Sequence, residues 1–462
     1  ASYATFGLIQ FVLVFALLLV PTTLMGGTLP VLSQALVRRE AGTGRTVGAL
    51  YAMNTFGAVA GVILAGYGLL PAVGNRNTLW IAAAANVAVG LVAIAYSRSL
   101  QAAAPKAARP PDRSPAAPAA ASSESRHVGS WLIAAALGIS GAVSMIYEVT
   151  WTRALTLVIG SSTYAFTAML VAFLLGIAGG AALYSLRWGT RRAAPAAFAV
   201  IQAGIGVAAA AVLLAFDRLP ELFLLALGRS LSPAFVQLAQ LGMSVLALLP
   251  TTVLIGATFP CAVAACARAP AHVGQDVGRL YAVNTLGAIV GAVLAGFVLL
   301  PALGVHASIK VGIVVNLVLA ALLCVPWPRP VTGWRWGVCG VSLAVAAAVI
   351  FIPGWDQQVM STGPAIYAQG YLEKSKTAGM SAALHSDQIL FYRDGPSATV
   401  SVTRDGDYIA LRVNGKVDAS TDPADMPTQL MLGHLPLLLH PDPRAVLVIG
   451  LGGGTTAGAV AR

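Results

Sequence analysis

The stretch "YEVTWTRAL", Tyr147 to Leu155, puts a carboxylate, Glu148, five residues ahead of a guanidinium, Arg153, between two long apolar runs. In such company the two charges read either as an ion pair pinning a hairpin or as a proton or substrate site at its rim. A second group lies near the C-terminus, in "AVLVIGLGGGTTAG". There an apolar run, Val446 to Ile449, reads as a short buried strand leading through Gly450, Gly452 and Gly454 into a helix start. Glycines let a backbone approach a ligand, and a helix N-terminus offers unpaired N–H groups to a carboxylate or hydroxyl. A third group occurs twice: Asn54-Thr55 and Asn284-Thr285 each stand just before a Gly-x-x-x-Gly, Gly57 to Gly61 and Gly287 to Gly291. Those amides and hydroxyls read as interhelical hydrogen-bonding groups or as the lining of a central cavity.

The elements that must position these groups are membrane spans. Of 462 residues, 57% are hydrophobic and 10% charged, with a mean hydropathy of +0.79. Soluble chains carry roughly a quarter charged residues. Apolar runs long enough to cross a bilayer fall near 6–30, 47–71, 78–97, 130–150, 155–186, 193–216, 234–266, 277–301, 308–326 and 336–353. After Pro353 the pattern becomes alternating, with Asp-Gly and Asn-Gly turns, which predicts β-hairpins in a water-soluble tail over 354–462. The tail holds eight Lys/Arg against ten Asp/Glu, and the membrane part twenty against seven. The net +11 thus belongs to loops between spans, where it reports orientation, and a nucleic-acid partner is not implied. Cys261, Cys266, Cys324 and Cys339 have no metal-site spacing and read as packing residues; no metal is expected.

Two segments recur at one offset of 230 residues. "VGALYAMNTFGAVAGVILAGYGLLPAVG" from Val47 matches "VGRLYAVNTLGAIVGAVLAGFVLLPALG" from Val277, and "GGTLP" from Gly26 matches "GATFP" from Gly256. The register predicts two homologous membrane halves. Residues 130–326 hold six spans, and 1–97 the counterparts of the last three, so three further helices are expected ahead of residue 1. Fifteen Lys/Arg in 38–45, 98–129, 187–192, 268–279 and 328–335, against five around Arg76, Arg153, Arg218, Arg229 and Lys310, place the first set in the cytoplasm. Segment 98–129, rich in Pro, Ala and Ser, reads as a disordered linker between the halves. Glu148 and Arg153 then sit at the outer mouth of a hairpin. With the upstream helices included, 336–353 reads either as an additional, thirteenth crossing, which puts the tail outside, or as a re-entrant segment of marginal length.

Six plus six helices in parallel repeat is the architecture of the major facilitator superfamily. "GGAALYSLRWGTRR" from Gly179 resembles that superfamily's loop signature, without its Asp. The tail's "LRVNGKVDASTDPADMPTQLMLGHLPLLLHPDPRAVLVIGLGGG" resembles spermidine synthases over about fifty residues, through Asn414-Gly415, Gln429, His434 to Leu437, Pro441 to Pro443 and Val446 to Gly454. Together with "GATFP" and "GRLYAVNTLGAIVGAVLAG", the chain resembles fused facilitator/spermidine-synthase membrane proteins. The resemblance implies a β-rich unit over 354–445 and the start of a Rossmann-like methyltransferase fold at 446–462. It also implies aminopropyl transfer from decarboxylated S-adenosylmethionine to a diamine. Gly450, Gly452 and Gly454 would cradle the donor, with Gln429 and His434 near the shared pocket. Gly453 stands where the family has an Asp, and the family's catalytic carboxylates come later than Arg462. A non-catalytic subunit of a larger membrane assembly and a facilitator-type transporter with a regulatory tail are the alternatives. The implied partners are the lipid bilayer, a polyamine, and a homodimer or larger complex. The implied setting is a bacterial-type inner membrane.

Overall fold

The computed structural model describes residues 3–37, 42–103, 123–190, 195–266, 270–325 and 333–461. The core of the Pro/Ala/Ser linker and the arginines ending the facilitator-like loop lie outside the described residues.

Among the described residues, eight helical stretches are long and apolar enough to cross a membrane. In chain order the helices are α1 (Tyr3–Leu36), α2 (Thr43–Ile63), α3 (Leu70–Ala103), α4 (Ser123–Ile159), α5 (Thr163–Arg187), α6 (Pro195–Ala215), α7 (Leu219–Leu227), α8 (Pro233–Cys266), α9 (Val273–Val293), α10 (Leu300–Cys324) and α11 (Gly333–Ile350). A π-helical turn joins α2 to α3 (Leu64–Leu69), and another joins α9 to α10 (Leu294–Leu299). Each runs into a proline, Pro71 or Pro301, which cannot donate to the turn before it, and the widened turn absorbs the missing bond. Three residues later a glycine leaves helical geometry: Gly74 (φ 74°, ψ 174°) and Gly304 (φ 77°, ψ 176°). Gly304 reverses the chain. On α9, Gly287 and Gly291 run alongside Gly138 and Ala142 of α4, whereas on α10 Gly312 meets Tyr147 and the helix start lies near the end of α4. The α4–α5 turn falls at 160–162, with Ser162 capping α5. Glu148 and Arg153 therefore lie inside α4 and not at the hairpin mouth, because nothing in "YEVTWTRALTLVI" interrupts helical geometry.

Contacts between α1–α2 and α8–α9 are reciprocal. A Cβ placed on Gly48 would lie 3.0 Å from Cβ of Pro260, and one placed on Gly278 would lie 3.8 Å from Cβ of Pro30. Likewise Gly44 meets Ala264, and Gly274 meets Gln34, whose side chain accepts the Gly274 N–H at 2.8 Å. In every pair each residue is replaced by the one 230 positions away.

Beyond α11 the tail is mixed in secondary structure. Three short helices, α12 (Gln357–Met360), α13 (Pro364–Ala378) and α14 (Met380–Leu384), precede an antiparallel sheet in the order β1-β2-β3-β4: Gln388–Asp394, Thr399–Asp405, Tyr408–Val413 and Lys416–Ser420. The β3–β4 turn is Asn414-Gly415, both left-handed (φ 50° and 80°), as a two-residue hairpin requires. Asn414 fixes the register by accepting the Thr399 N–H at 2.9 Å. Helices α15 (Met426–Leu439) and α16 (Thr455–Val460) follow. The expected strand at Val446 to Ile449 does not form; Leu447 is 84% and Ile449 91% exposed. A lone strand has no neighbour for its N–H and C=O groups and no helix to cover it, so the sequence signal alone cannot fold it. Among the described residues there is no Rossmann sheet.

Candidate functional site

The glycine-rich turn takes the shape its composition requires. Gly450, Gly452 and Gly454 all have positive φ (92°, 55° and 81°), and Gly454 begins α16. Gln429 lies beneath: its Nε2 donates to the Ser420 carbonyl at 2.7 Å, and its own carbonyl accepts Thr456 Oγ at 2.9 Å. A side chain on Gly453 would start 3.8 Å from Gln429 Oε1 and 3.3 Å from Cβ of Ala419, so this face of the turn is already close-packed. The structure thus brings Gln429 to the turn. His434 is exposed and five residues further along α15, about 140° round a helix with ~3.6 residues per turn, and it does not join the group.

Glu148 and Arg153 do not pair. Five residues apart on one helix, they point in different directions, and Arg153 Nη2 donates to the Gly395 carbonyl at 3.0 Å, across the boundary with the tail. Next to it, Asp394 Oδ2 accepts the Val305 N–H at 2.9 Å and Oδ1 accepts Thr399 Oγ at 2.7 Å. The β1–β2 turn is therefore clamped onto α4 by one residue and onto the start of α10 by the other. Gly304 lacks a Cβ where one would meet Asp394 Oδ2 at 2.8 Å.

Around this clamp lies a cavity of about 370 Å³, lined by Gly304, His306, Trp355, Tyr392, Arg393 and Asp394 among others. Trp355 stacks on Phe216 (centroids 4.5 Å apart), meets His306 edge-on (5.0 Å) and donates to the Leu213 carbonyl at 2.9 Å. Burial, reinforced by the Asp394 carboxylate, holds the Tyr392 phenol well above its ordinary range, so it stays a neutral donor. Lys310 Nζ caps the end of α11 through the carbonyls of Ile350 and Ile352. The tail thus sits at the end of the bundle that carries Arg153 and Lys310. Asp394, His306 and Trp355 were not singled out from sequence. "DG" reads only as a turn, and the one available signal is Trp355 standing alone in a polar segment.

The repeated Asn-Thr pairs take unequal places. Both threonines bond their own helix: Thr55 Oγ donates to Tyr51 O and Thr285 Oγ to Tyr281 O, each at 2.8 Å. Their hydroxyls are spent locally rather than between helices. Asn284 lies against Gly141 of α4, whereas Asn54 is exposed on α2. Tyr51 and Tyr281 converge on Phe259, at centroid distances of 5.0 and 6.0 Å.

None of the four cysteines forms a disulfide, and three of them are buried. Among the described residues no three His, Cys, Asp or Glu side chains gather as metal ligands. No protein-family model matches the chain, and no solved structure matches it.

Proposed function

We propose that the chain is a facilitator-like membrane protein of two homologous halves carrying a spermidine synthase-like unit. Its reaction would be aminopropyl transfer from decarboxylated S-adenosylmethionine to a diamine. An amine nitrogen attacks the propyl carbon next to the sulfonium; the C–N bond forms as the C–S bond breaks, the thioether nucleoside leaves, and the amine loses a proton.

The observation that carries this reading is the run of three left-handed glycines at 450, 452 and 454 beside Gln429, in the sequence setting that resembles the family. The reciprocal contacts of Pro30 with Gly278 and Pro260 with Gly48 support the two-halves reading. The test is transfer of label by the purified full-length protein from aminopropyl-labelled donor to putrescine. Labelled product, lost in Gly452→Val, supports the enzyme. Neither product nor donor binding by calorimetry would leave a non-catalytic subunit.

A second reading, a facilitator-type transporter with a regulatory tail, is favoured by the clamp of Asp394 and Gly395 on α10 and α4. Polyamine uptake into vesicles, lost in Asn284→Ala, tests it. In both readings the setting is a bacterial-type inner membrane, and the lysine and arginine count supports an outside tail. The homodimer or larger complex is a family-level expectation.

A further inference from the structure

The cavity between the tail and the bundle is lined by more hydrogen-bond donors than the protein itself uses. His306 lines it from the stretch of α10 that resumes after Gly304, and its Nε2 is buried without a hydrogen-bond partner. Tyr392 and Arg393 line it from β1, and neither side chain has a hydrogen bond or ion pair among the described residues. Burial keeps the Tyr392 phenol neutral, so its hydroxyl is free to donate. A buried polar group without a partner carries a cost that a bound acceptor removes.

The charges around the cavity do not balance. Asp394 is the one carboxylate among the lining residues, and both its oxygens are taken, by the Val305 N–H at 2.9 Å and by Thr399 Oγ at 2.7 Å. It also lies within electrostatic reach of Arg153, whose Nη2 holds the Gly395 carbonyl and whose Nε is buried without a partner. Arg393 is left over, exposed on the cavity wall. A cation entering here meets an excess of its own sign, whereas an oxyanion meets a guanidinium, a phenol and an imidazole nitrogen. These donors come from two elements and more than one direction, which suits a tetrahedral phosphate better than a planar carboxylate. At about 370 Å³ the cavity is larger than one phosphate group, and Leu157, Leu303 and Trp355 supply apolar wall for a body behind it. The geometry points to a binding site for a phosphoester with an apolar body, its oxyanion held between Arg393, Tyr392 and His306 at the joint of tail and bundle. The source is either a soluble phosphoester or the headgroup of a membrane lipid, and the chemistry is the same. The site is separate from the glycine turn at 450–454 and stands apart from the reaction proposed there.

The experiment uses the full chain purified in dodecyl maltoside, with phenyl phosphate titrated by calorimetry and retained phospholipid measured by phosphorus assay. Arg393→Gln removes the uncommitted charge; the side chain is exposed and unbonded, so the variant tests binding and not folding. Gly354→Trp fills the cavity, since Gly354 lines it and a Cβ there meets nothing within 4 Å. We expect saturable binding of phenyl phosphate, about tenfold weaker in Arg393→Gln, as loss of one charge-assisted hydrogen bond demands, and absent in Gly354→Trp. Binding that disappears when the protein is moved into phosphatidylglycerol nanodiscs assigns the site to a lipid headgroup, and binding that persists there assigns it to a soluble phosphoester. A parent that binds no phenyl phosphate but retains phospholipid that both variants lose also places a headgroup in the site. Three results overturn the inference. The parent neither binds phenyl phosphate nor retains phospholipid that the variants lose; or both variants bind as the parent does; or benzylamine, a cation of similar shape, binds more tightly than phenyl phosphate.

Discussion

Asp394 caps Val305: a carboxylate from the end of β1 accepts, at 2.9 Å, a backbone N–H where α10 resumes after Gly304. The first N–H groups of a helix have no partner within it, and a side-chain oxygen there also meets the positive end of the helix dipole. The tail is therefore joined to the bundle through an obligatory need of α10. Asp394→Ala is expected to cost ~1 kcal/mol, in the range of a lost N-cap. Hydrogen exchange at Val305 and across β1–β2 should accelerate. Unchanged exchange at Val305 would show the cap to be dispensable.

Gly304 and Gly74 share one backbone conformation but not one environment. Alanine at either is strained by roughly 1–3 kcal/mol, since the region is nearly closed to side chains. At 304 the new Cβ also meets Asp394 Oδ2 at 2.8 Å, whereas at 74 it meets nothing. Gly304→Ala should lower the thermal midpoint more than Gly74→Ala and loosen the tail. Equal losses would remove the clamp from the account of this bend.

The buried pair of the tail is Arg412 with Asp387, at 2.5 Å, their side chains only 10% and 13% exposed. Arg412 also donates to the Ser361 carbonyl at 3.0 Å and so ties the sheet to the segment after α12. Removing one partner leaves a buried charge alone, at a cost of ~3–5 kcal/mol. Asp387→Ala should therefore expose the tail to limited proteolysis while α4–α10 stay protected. A tail as resistant as the parent's would contradict this.

His385 and Asp356 form a partly exposed pair at 2.9 Å. The Ser381 carbonyl and then Asp356 hold a proton on His385, raising it above its ordinary value. Partial burial works against ionising Asp356, but the bonds from His385, Gln358 and Val359 outweigh it and hold the carboxyl low. The histidine's contribution is complete below its ordinary value of about 6.5 and disappears as pH rises through the raised one. The aspartate's is complete above about 3.9 and disappears as pH falls through the lowered one. Parent and His385→Gln should thus differ in protease resistance around α12 most clearly near pH 5, and converge in mild alkali. A difference that grew above neutrality would reverse the sign.

Long elements were legible in the sequence because burial in lipid needs only length and apolarity, but the expected span at 155–186 runs across the α4–α5 turn at 160–162, and those at 47–71 and 277–301 each take in a π-helical turn. The β-hairpins were legible because Asn414-Gly415 can do little else than turn. The strand expected at Val446 to Ile449 does not form because a strand is a relation between segments, and none of the described residues pairs with this run. Arg153 was misassigned for a similar reason. Its nearest acid in sequence is Glu148, but its partner, the Gly395 carbonyl, is 242 residues away. Local spacing could reveal the charge and not its contact.

The bare run from Val446 to Leu451 has a practical side. Leu438 and Leu439 at the end of α15 are also uncovered. Detached from the bundle and put in plain buffer, the tail would present greasy side chains to its own copies. Clumping on dilution out of detergent, with strong binding of an apolar dye, is the behaviour such a surface sets.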